Sequence, residues 1–173
     1  MIVVVEGTKQ SGKTSMIKRF KEILPKELAL SFYDRDLFKY SLNYADAVFA
    51  NCLSYLNAAI EIDKAFDGKL LIFFDRFHIS ELVYGDKVRG YKNDKMWIID
   101  EKLRRAEAKG IMFLSDTAEE RTGVKVYKDE FYDYAKQSAL DWMVINLDKV
   151  KGKIGDGLIV KVADYIEGRV NNG

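Results

Sequence analysis

Short apolar runs alternate with helical patterns along the chain. Five of these runs are rich in β-branched or aromatic residues, and none of them alternates strictly between apolar and polar positions. Strands that are covered on both faces show this pattern, which is typical of a parallel sheet. The five predicted strands are 2–5, 28–32, 70–74, 111–114 and 143–147.

The segments between these runs carry apolar residues at helical spacing. A helix over 13–24 is predicted to bury one face and to stop at Pro25, because proline cannot continue a helix. A longer pattern predicts a helix over 44–66, which the turn residues Asp67 and Gly68 then end.

Two further helices are predicted in the second half of the chain. One covers 94–109 and is closed by Gly110 as a C-cap. The last is an amphipathic helix whose apolar residues recur at four-residue steps: Leu158, Val162, Ile166 and Val170. Strands and helices that alternate in this way predict one α/β domain over 1–173 with a largely parallel sheet.

Composition and charge narrow the classes of function. The chain is 48% hydrophobic and 32% charged, as folded globular proteins are. Its formal net charge of +1 disfavours a nucleic-acid partner, since proteins that grip a polynucleotide carry a basic excess. Cys52 is the single cysteine, so no intrachain disulfide is expected. Nothing resembles a membrane span or a signal peptide, and we therefore expect a cytoplasmic protein with no membrane partner.

A phosphate-binding pattern, G-x-x-x-x-G-K-T, follows the first predicted strand. Its glycines allow the backbone to turn N–H groups toward phosphate oxygens. Lys13 begins the next helix and is expected to reach the β- and γ-phosphates of a nucleoside triphosphate, while the Thr14 hydroxyl is placed to bind Mg²⁺. The residues predicted to bind the nucleotide are Gly7, Thr8, Lys9, Gln10, Ser11, Gly12, Lys13, Thr14 and Ser15.

An acidic and a basic residue, Asp75 and Arg76, follow the third predicted strand. Ligands of open parallel sheets bind at the carboxyl ends of the strands, so both are expected beside the phosphate loop. Phosphoryl transfer needs a carboxylate for the metal and cations for the spreading charge. Asp75 is a candidate for the Mg²⁺ shell or for taking the acceptor's proton, and Arg76 for clamping phosphates. The alternative is that Asp75 caps the next helix and Arg76 forms a surface ion pair.

Three segments resemble the thymidylate kinase family, whose layout the deoxynucleoside kinases largely share. They are Glu6-Gly7 before the phosphate loop, 48–51 (VFAN), and 75–85 (DRFHISELVYG) with its Ser80. The resemblance implies a three-layer P-loop NTPase fold with a five-stranded parallel sheet flanked by helices. It also implies ATP with Mg²⁺ as cofactors and a small nucleotide or nucleoside as the acceptor. Many relatives pair through helices of this kind, so a homodimer is an open prediction.

Three departures from the family concern the acceptor. Lys9 stands where family members usually have an acidic residue that serves the acceptor sugar, and Cys52 replaces the signature arginine. The family's Arg-Glu-Pro-like segment after the second strand is here Tyr-Asp-Arg-Asp, in which Arg35 is a candidate for the phosphate-binding role and Asp34 or Asp36 for the acidic one. Phosphoryl transfer stays the inference, but thymidylate itself is in question.

A lid that closes over the phosphates is predicted at about 116–128, between the fourth strand and the next helix. Such lids exclude water and prevent futile hydrolysis of ATP. Arg121 is the best candidate for a charge-stabilising arginine, with Lys125 and Lys128 behind it. The alternative is that Arg121 and the acidic residues before it form a solvated helix face.

The acceptor pocket is expected between the helix 44–66 and the segment after Arg76. Six aromatic residues are candidates for stacking on a base, although aromatic residues at such spacing more often belong to a core: Phe38, Tyr40, Tyr44, Phe49, Phe77 and Tyr84. The predicted substrate-binding residues are Asp34, Arg35, Phe49, Asn51, Arg76, Ser80, Tyr84 and Arg89. His78 is interpreted as structural rather than as a general base, and Cys52 as a small buried hydrophobe.

The leading hypothesis is a kinase of deoxynucleoside monophosphates, with Thr14 and Asp75 at the metal. Its predicted catalytic residues are Lys13, Asp75, Arg76 and Arg121. A deoxynucleoside kinase is the alternative and needs a base for the nucleoside hydroxyl, for which Asp34, Asp36 and Asp75 are candidates. A non-catalytic nucleotide-binding module is a further alternative, and the charge balance argues against a polynucleotide 5′-kinase.

Overall fold

Five parallel strands form one sheet in a computed structural model, in the order β2-β3-β1-β4-β5. The structure describes residues 1–23, 29–33, 44–148 and 155–168, and within these ranges it leaves out the side chains at 29–33, 118, 121 and 122. All five predicted strands are present. Their bounds are β1 Ile2–Gly7, β2 Ala29–Tyr33, β3 Leu71–Asp75, β4 Lys109–Leu114 and β5 Asp141–Asn146.

Helices connect the strands and cover both faces of the sheet. The predicted helices over 13–24 and 44–66 agree with the observed α1 and α2 to within one residue at each described end. Among the described residues the helices are α1 Lys13–Ile23, α2 Tyr44–Ala65, α3 His78–Tyr84, α4 Met96–Arg105, α5 Thr117–Thr122, α6 Lys128–Gln137 and α7 Asp156–Ile166. A π-helical turn, Gly85–Arg89, continues α3.

The predicted helix over 94–109 is wrong at its carboxyl end. The helix stops at Arg105, the chain turns through Glu107 at a φ of +53°, and Gly110 lies inside β4 instead of capping a helix. A Cβ atom on Gly110 would meet the ring of Trp142 on β5 at 2.3 Å. This glycine is therefore needed for the packing of a strand neighbour, which a short-range pattern does not reveal.

The apolar residues of β1 divide between two core layers, one on each face of the sheet. Val3 and Val5 face the layer that contains α1 and α7, whereas Ile2 and Val4 face the layer that contains α2, α4 and α6. All of β1 is buried, as expected for a central parallel strand. The result is the three-layer α/β arrangement that the sequence predicts.

The register of the central strands brings three loops together at one edge of the sheet. Val5 of β1 lies beside Asp75 at the end of β3, and Gly7 lies beside Phe113 near the end of β4. The phosphate loop therefore emerges between the residues that follow β3 and those that follow β4. Within the described part of the chain, no helix has both the length and the apolar character that crossing a membrane requires.

Candidate functional site

The phosphate loop is held tightly against β4. The N–H of Thr8 donates to the carbonyl oxygen of Phe113 at 3.0 Å. Gly7 has a φ of +127°, and a Cβ atom there would lie 1.8 Å from that same oxygen. Glycine is thus required at position 7 both by the backbone conformation and by the close approach of β4. Gly12, at a φ of +83°, needs the same freedom.

The Lys13 side chain is folded into the loop. Its Nζ donates to the carbonyl oxygens of Gly7 at 2.9 Å and Thr8 at 2.5 Å, and to the hydroxyl of Ser11 at 3.1 Å. Burial, reinforced by the positive charge of Arg76, lowers the pKa of Lys13 from 10.5 to about 7. The charged form of Lys13 is therefore poorly compensated in the free protein, and a bound anion would supply the missing compensation.

Thr14 and Asp75 meet where β3 ends. The Thr14 hydroxyl donates to Oδ2 of Asp75 at 2.6 Å, and the aspartate is buried. Hard oxygen ligands of this kind suit Mg²⁺, which takes one or two protein oxygens and completes its shell with water and phosphate. Among the described residues there is no cluster of three or more acidic, histidine or cysteine side chains that would form a dedicated metal cage. The oxygens of Thr14 and Asp75 fit a Mg²⁺ ion that shares its shell with phosphate.

Arg76 occupies a strained position directly after Asp75. Its φ is +67°, which is unusual for a residue with a side chain, and its N–H donates to the carbonyl oxygen of Val5 at 2.9 Å. The guanidinium lies over the ring of Tyr84, 5.8 Å from its centre, and Nη1 lies 3.5 Å from the tyrosine hydroxyl. Strain of this kind is concentrated at functional sites.

The alternative arrangement, in which Asp75 caps α3 and Arg76 forms a surface ion pair, does not match the structure. Phe77 is the N-cap of α3, and Asp75 accepts from Thr14 instead. Among the residues that the structure describes, no carboxylate is ion-paired with Arg76.

Glu6 is a functional candidate to which the sequence analysis gave no role, although Glu6-Gly7 is part of the family resemblance. This residue of β1 is fully buried, and its Oε1 accepts from the N–H groups of Phe77 at 2.7 Å and Ser80 at 3.1 Å. The Ser80 hydroxyl donates to Oε2. Ser80, a predicted substrate-binding residue, therefore points at Glu6 in this structure. A lone carboxylate in an otherwise apolar central strand was the signal in the sequence.

Tyr84 connects Arg76 to the predicted lid. Its ring makes edge contacts with Tyr127, at 6.2 Å between centres, and with Phe131, at 5.7 Å. Burial raises the pKa of its hydroxyl, against the opposing effect of the Arg76 charge. The hydroxyl therefore stays protonated. Tyr84 is predicted to bind substrate, and the structure places it beside Arg76, half-buried.

The other candidates for the acceptor pocket are divided between surface and core. Phe49 and Asn51 lie half-buried on α2, with Lys95 6.0 Å from the centre of the Phe49 ring. Phe77 is buried and stacks on Phe74 at 4.2 Å, so its ring belongs to the core rather than to a base-binding surface. Several predicted residues lie outside the described ranges: Asp34, Arg35, Asp36, Phe38 and Tyr40.

Arg89 is held in a cluster between the π-helical turn and the start of α2. It forms an ion pair with the buried Glu81, and its guanidinium lies 5.1 Å from the ring centre of Tyr44 and 5.3 Å from that of Tyr91. Glu81 also accepts from the Tyr91 hydroxyl at 2.8 Å, and burial raises the pKa of its carboxyl group. If Arg89 contacted an acceptor phosphate, its guanidinium would interact with that phosphate and with Glu81 at the same time.

The surroundings of His78 agree with its interpretation as a structural residue. It is fully buried on α3, and its Nε2 lies 2.9 Å from Oδ1 of Asp100 on α4. Asp100 also accepts from the Ser138 hydroxyl at 2.5 Å and from the N–H of Ala139 at 2.6 Å. Burial opposes the charge of this carboxylate, but these hydrogen bonds and His78 lower its pKa. Cys52 is likewise buried in the core.

The predicted lid contains the short helix α5, which Gly123 ends at a φ of +65°. Arg121 lies in α5, and its side chain is outside what the structure describes. Lys128 begins α6 and forms ion pairs with Asp116 at 2.5 Å and Asp148 at 2.6 Å, which tie the ends of this segment to the loop after β5. Lys125 lies over the ring of Tyr127 at 5.2 Å.

Comparison with known proteins identifies the fold. No protein-family model matches the chain, and no curated protein sequence does either. Among solved structures, the chain is similar to the YorR protein from Bacillus subtilis, which was crystallised in complex with phosphorylated GDP. The TM-score is 0.66 and the identity 16%, and the match covers 96% of each chain.

A second similar structure is thymidylate kinase from Ehrlichia chaffeensis. The TM-score is 0.52 and the identity 17%, over 96% of this chain and 98% of that one. At such identities the likeness establishes the fold alone. The chain therefore has a P-loop kinase-like fold, and the predicted fold class, three-layer α/β with a five-stranded parallel sheet, is confirmed.

Proposed function

We propose that this protein is an ATP-dependent kinase that transfers the terminal phosphoryl group to a small nucleotide, a (deoxy)nucleoside monophosphate. The observation that carries the proposal is the convergence of the Lys13 ammonium, the Thr14–Asp75 hydrogen bond and the left-handed Arg76 at one edge of the sheet. A module that only bound nucleotide would have no need of a buried carboxylate and a strained arginine beside its phosphate loop.

Each of these residues has a task in phosphoryl transfer. The N–H groups of the loop and the Lys13 ammonium bind the β- and γ-phosphates of ATP. Thr14 and Asp75 would hold Mg²⁺, which when bound neutralises phosphate charge. Arg76 projects from the end of β3 between the loop and Tyr84, where its guanidinium stabilises the charge that spreads over the transferring group.

The acceptor is proposed to enter from the side of α2 and α3. A monophosphate acceptor is already nucleophilic, so the site needs cations rather than a strong base. The oxygen of Asp75 closest to Thr14 is engaged by that hydroxyl, which suits a metal-shell role better than proton abstraction. Closure of 116–128 with Arg121 would exclude water, and this lid, like the cytoplasmic location, remains a prediction.

One assay tests the reaction and its acceptor. The protein is incubated with Mg-ATP and, in separate wells, nucleosides, deoxynucleoside monophosphates and a 5′-hydroxyl oligonucleotide, and both ADP and the phosphorylated acceptor are measured. We expect turnover with one or more monophosphates. Turnover with nucleosides alone would establish the deoxynucleoside kinase instead, and no turnover with any acceptor would favour a binding module.

Two arginine variants give the matched comparison. Arg76→Ala is expected to lower kcat by about 10³-fold or more while the affinity for ATP is nearly kept, because its cation acts on the transferring group. Arg104→Ala removes an exposed arginine of α4 that pairs only locally with Glu101, and should leave kcat unchanged. Full activity of the Arg76 variant would refute the assignment.

A further inference from the structure

Glu6 is the one carboxylate in the buried central strand, and it lies one residue before the phosphate loop. All its described hydrogen bonds go to the first turn of α3, more than seventy positions later in the chain: to the N–H groups of Phe77 and Ser80 and to the Ser80 hydroxyl. Both carboxylate oxygens are used. The side chain therefore joins the strand that leads into the loop to the segment that follows Arg76.

The partners of Glu6 come directly after Arg76 in the chain, and the backbone of Arg76 is strained. Arg76 has a φ of +67°, and its own N–H is bonded to Val5 of β1. The next N–H along the chain, that of Phe77, is bonded to Glu6. The peptide groups before and after the Cα of Arg76 are thus anchored to consecutive residues of the same strand. A conformation that sterics disfavour persists only where its surroundings impose it.

We propose that Glu6 is a positioning residue that holds Arg76 in its left-handed conformation and so aims its guanidinium across the phosphate loop. Ser80 then supports Glu6 rather than binding the substrate. The inference rests on the proposed kinase function for its catalytic consequence, although not for its structural one. Glu6 itself touches no reacting atom.

A double-mutant cycle tests the catalytic consequence. Glu6→Gln keeps the size of the side chain but weakens the bonds to α3, and is expected to lower kcat by roughly 10- to 100-fold with little change in the affinity for ATP, since a misplaced catalytic group costs about that much. In the Arg76→Ala background the same change should add less than about twofold, because the group that Glu6 positions is already gone. Additive losses would assign the effect to Lys13, which also senses the Glu6 charge, and would overturn the proposal.

Two further variants separate positioning from general destabilisation. Ser80→Ala removes only the hydroxyl donor to Glu6 and should give a smaller loss of kcat that is again absent without Arg76. Tyr165→Phe deletes a partly buried hydrogen bond, to the carbonyl oxygen of Asp141 at 2.6 Å, on the opposite face of the sheet. That variant should show no coupling to Arg76. If Ser80→Ala and Tyr165→Phe couple equally to Arg76→Ala, the cycle reports general destabilisation rather than positioning of Arg76.

Amide hydrogen exchange decides the structural consequence without any acceptor. In Glu6→Gln, protection of the N–H groups of Phe77 and Ser80 is expected to fall by about tenfold or more relative to the amides of β1. Unchanged protection of these two amides would overturn the proposal. If the wild-type protein phosphorylates no acceptor, the proposed function fails, and the exchange result still determines whether Glu6 holds this turn.

Discussion

Single residues mark the candidate site more clearly than any sequence motif does. They are either charged but buried or held in a left-handed backbone conformation. Glu6 and Lys13 are charged and buried, and Arg76 adopts a conformation that favours glycine. Each violates a rule that ordinary core residues obey, and the three are grouped around the carboxyl ends of β1 and β3. Local violations that converge in space are expected at functional sites, because the rest of the fold must stabilise them.

Lys13 predicts a pH effect on both stability and binding. Its pKa of about 7 in the folded chain lies below the 10.5 of an ordinary lysine, so between these values the unfolded chain holds a proton that the folded chain has released. Burial of Lys13 therefore lowers the free energy of unfolding by its full amount below about pH 7. This destabilisation disappears as the pH rises toward 10.5. This lysine should make the free protein more stable with rising pH across that window.

Nucleotide binding should reverse that release of the proton. The phosphates of ATP favour the ammonium form, so at pH 8 binding is expected to take up about one proton per ATP. Calorimetry of Mg-ATP binding in buffers of different ionisation enthalpy measures this uptake. Lys13→Met should bind ATP weakly and without the Lys13 proton. Proton uptake by the wild type that equals that of Lys13→Met would contradict the assignment of the buried ammonium to the phosphates.

At the scale of elements, the segment between β4 and α6 depends on one lysine. Lys128 bridges Asp116, at the start of the predicted lid, and Asp148, after β5. Burial opposes the charge of Asp148, but the hydrogen bonds from Lys128 and its neighbours lower the pKa of this carboxyl group. Since both pairs are partly exposed, they contribute little to global stability, and their effect should be confined to this segment.

Lys128→Met is therefore expected to change local rather than global behaviour. The free energy of unfolding should fall by less than about 1 kcal/mol, because partly exposed ion pairs are screened by solvent. The N–H groups of Glu119, Glu120 and Gly123 form hydrogen bonds at the two ends of α5, and their amide exchange should accelerate. Lys136→Met removes a comparable lysine of α6 that lies over the ring of Tyr132 and serves as the control. Equal exchange in the two variants would show that Lys128 does not hold the segment.

At the scale of the whole molecule, the parallel sheet assembles the site from distant parts of the chain. Because β1 lies between β3 and β4, the loops that follow all three strands emerge together. ATP bound at this junction, as proposed, would contact several elements at once and should therefore stabilise the fold as a unit.

Thermal unfolding measures that stabilisation. Mg-ATP at about one hundred times its Kd is expected to add about 2.7 kcal/mol, which corresponds to a rise in Tm of roughly 5 to 10 °C for a domain of this size. Lys13→Met should lose most of the shift, whereas Arg104→Ala should keep it. A wild-type Tm that does not respond to saturating Mg-ATP would contradict the phosphate-loop assignment.

The prediction from sequence succeeded where the information is local. The five strands and the helix over 13–24 follow from periodicity, because each depends on residues close together in the chain. The error at Gly110 has the opposite cause. A glycine after a helical pattern usually is a cap, but here the ring of Trp142, more than thirty residues later, needs the space.

The amino-acid sequence by itself determined the fold class, and it predicts where a phosphate would bind. Only the tertiary structure decided how the site is held: Ser80 donates to Glu6, Arg89 is paired with Glu81, and Lys128 is paired with Asp148. Each of these contacts joins side chains from different elements, and Glu6 reaches Phe77 across 71 positions. Such residues are brought together by the packing of the helices and the register of the strands. Both become known only when the strands have been placed side by side.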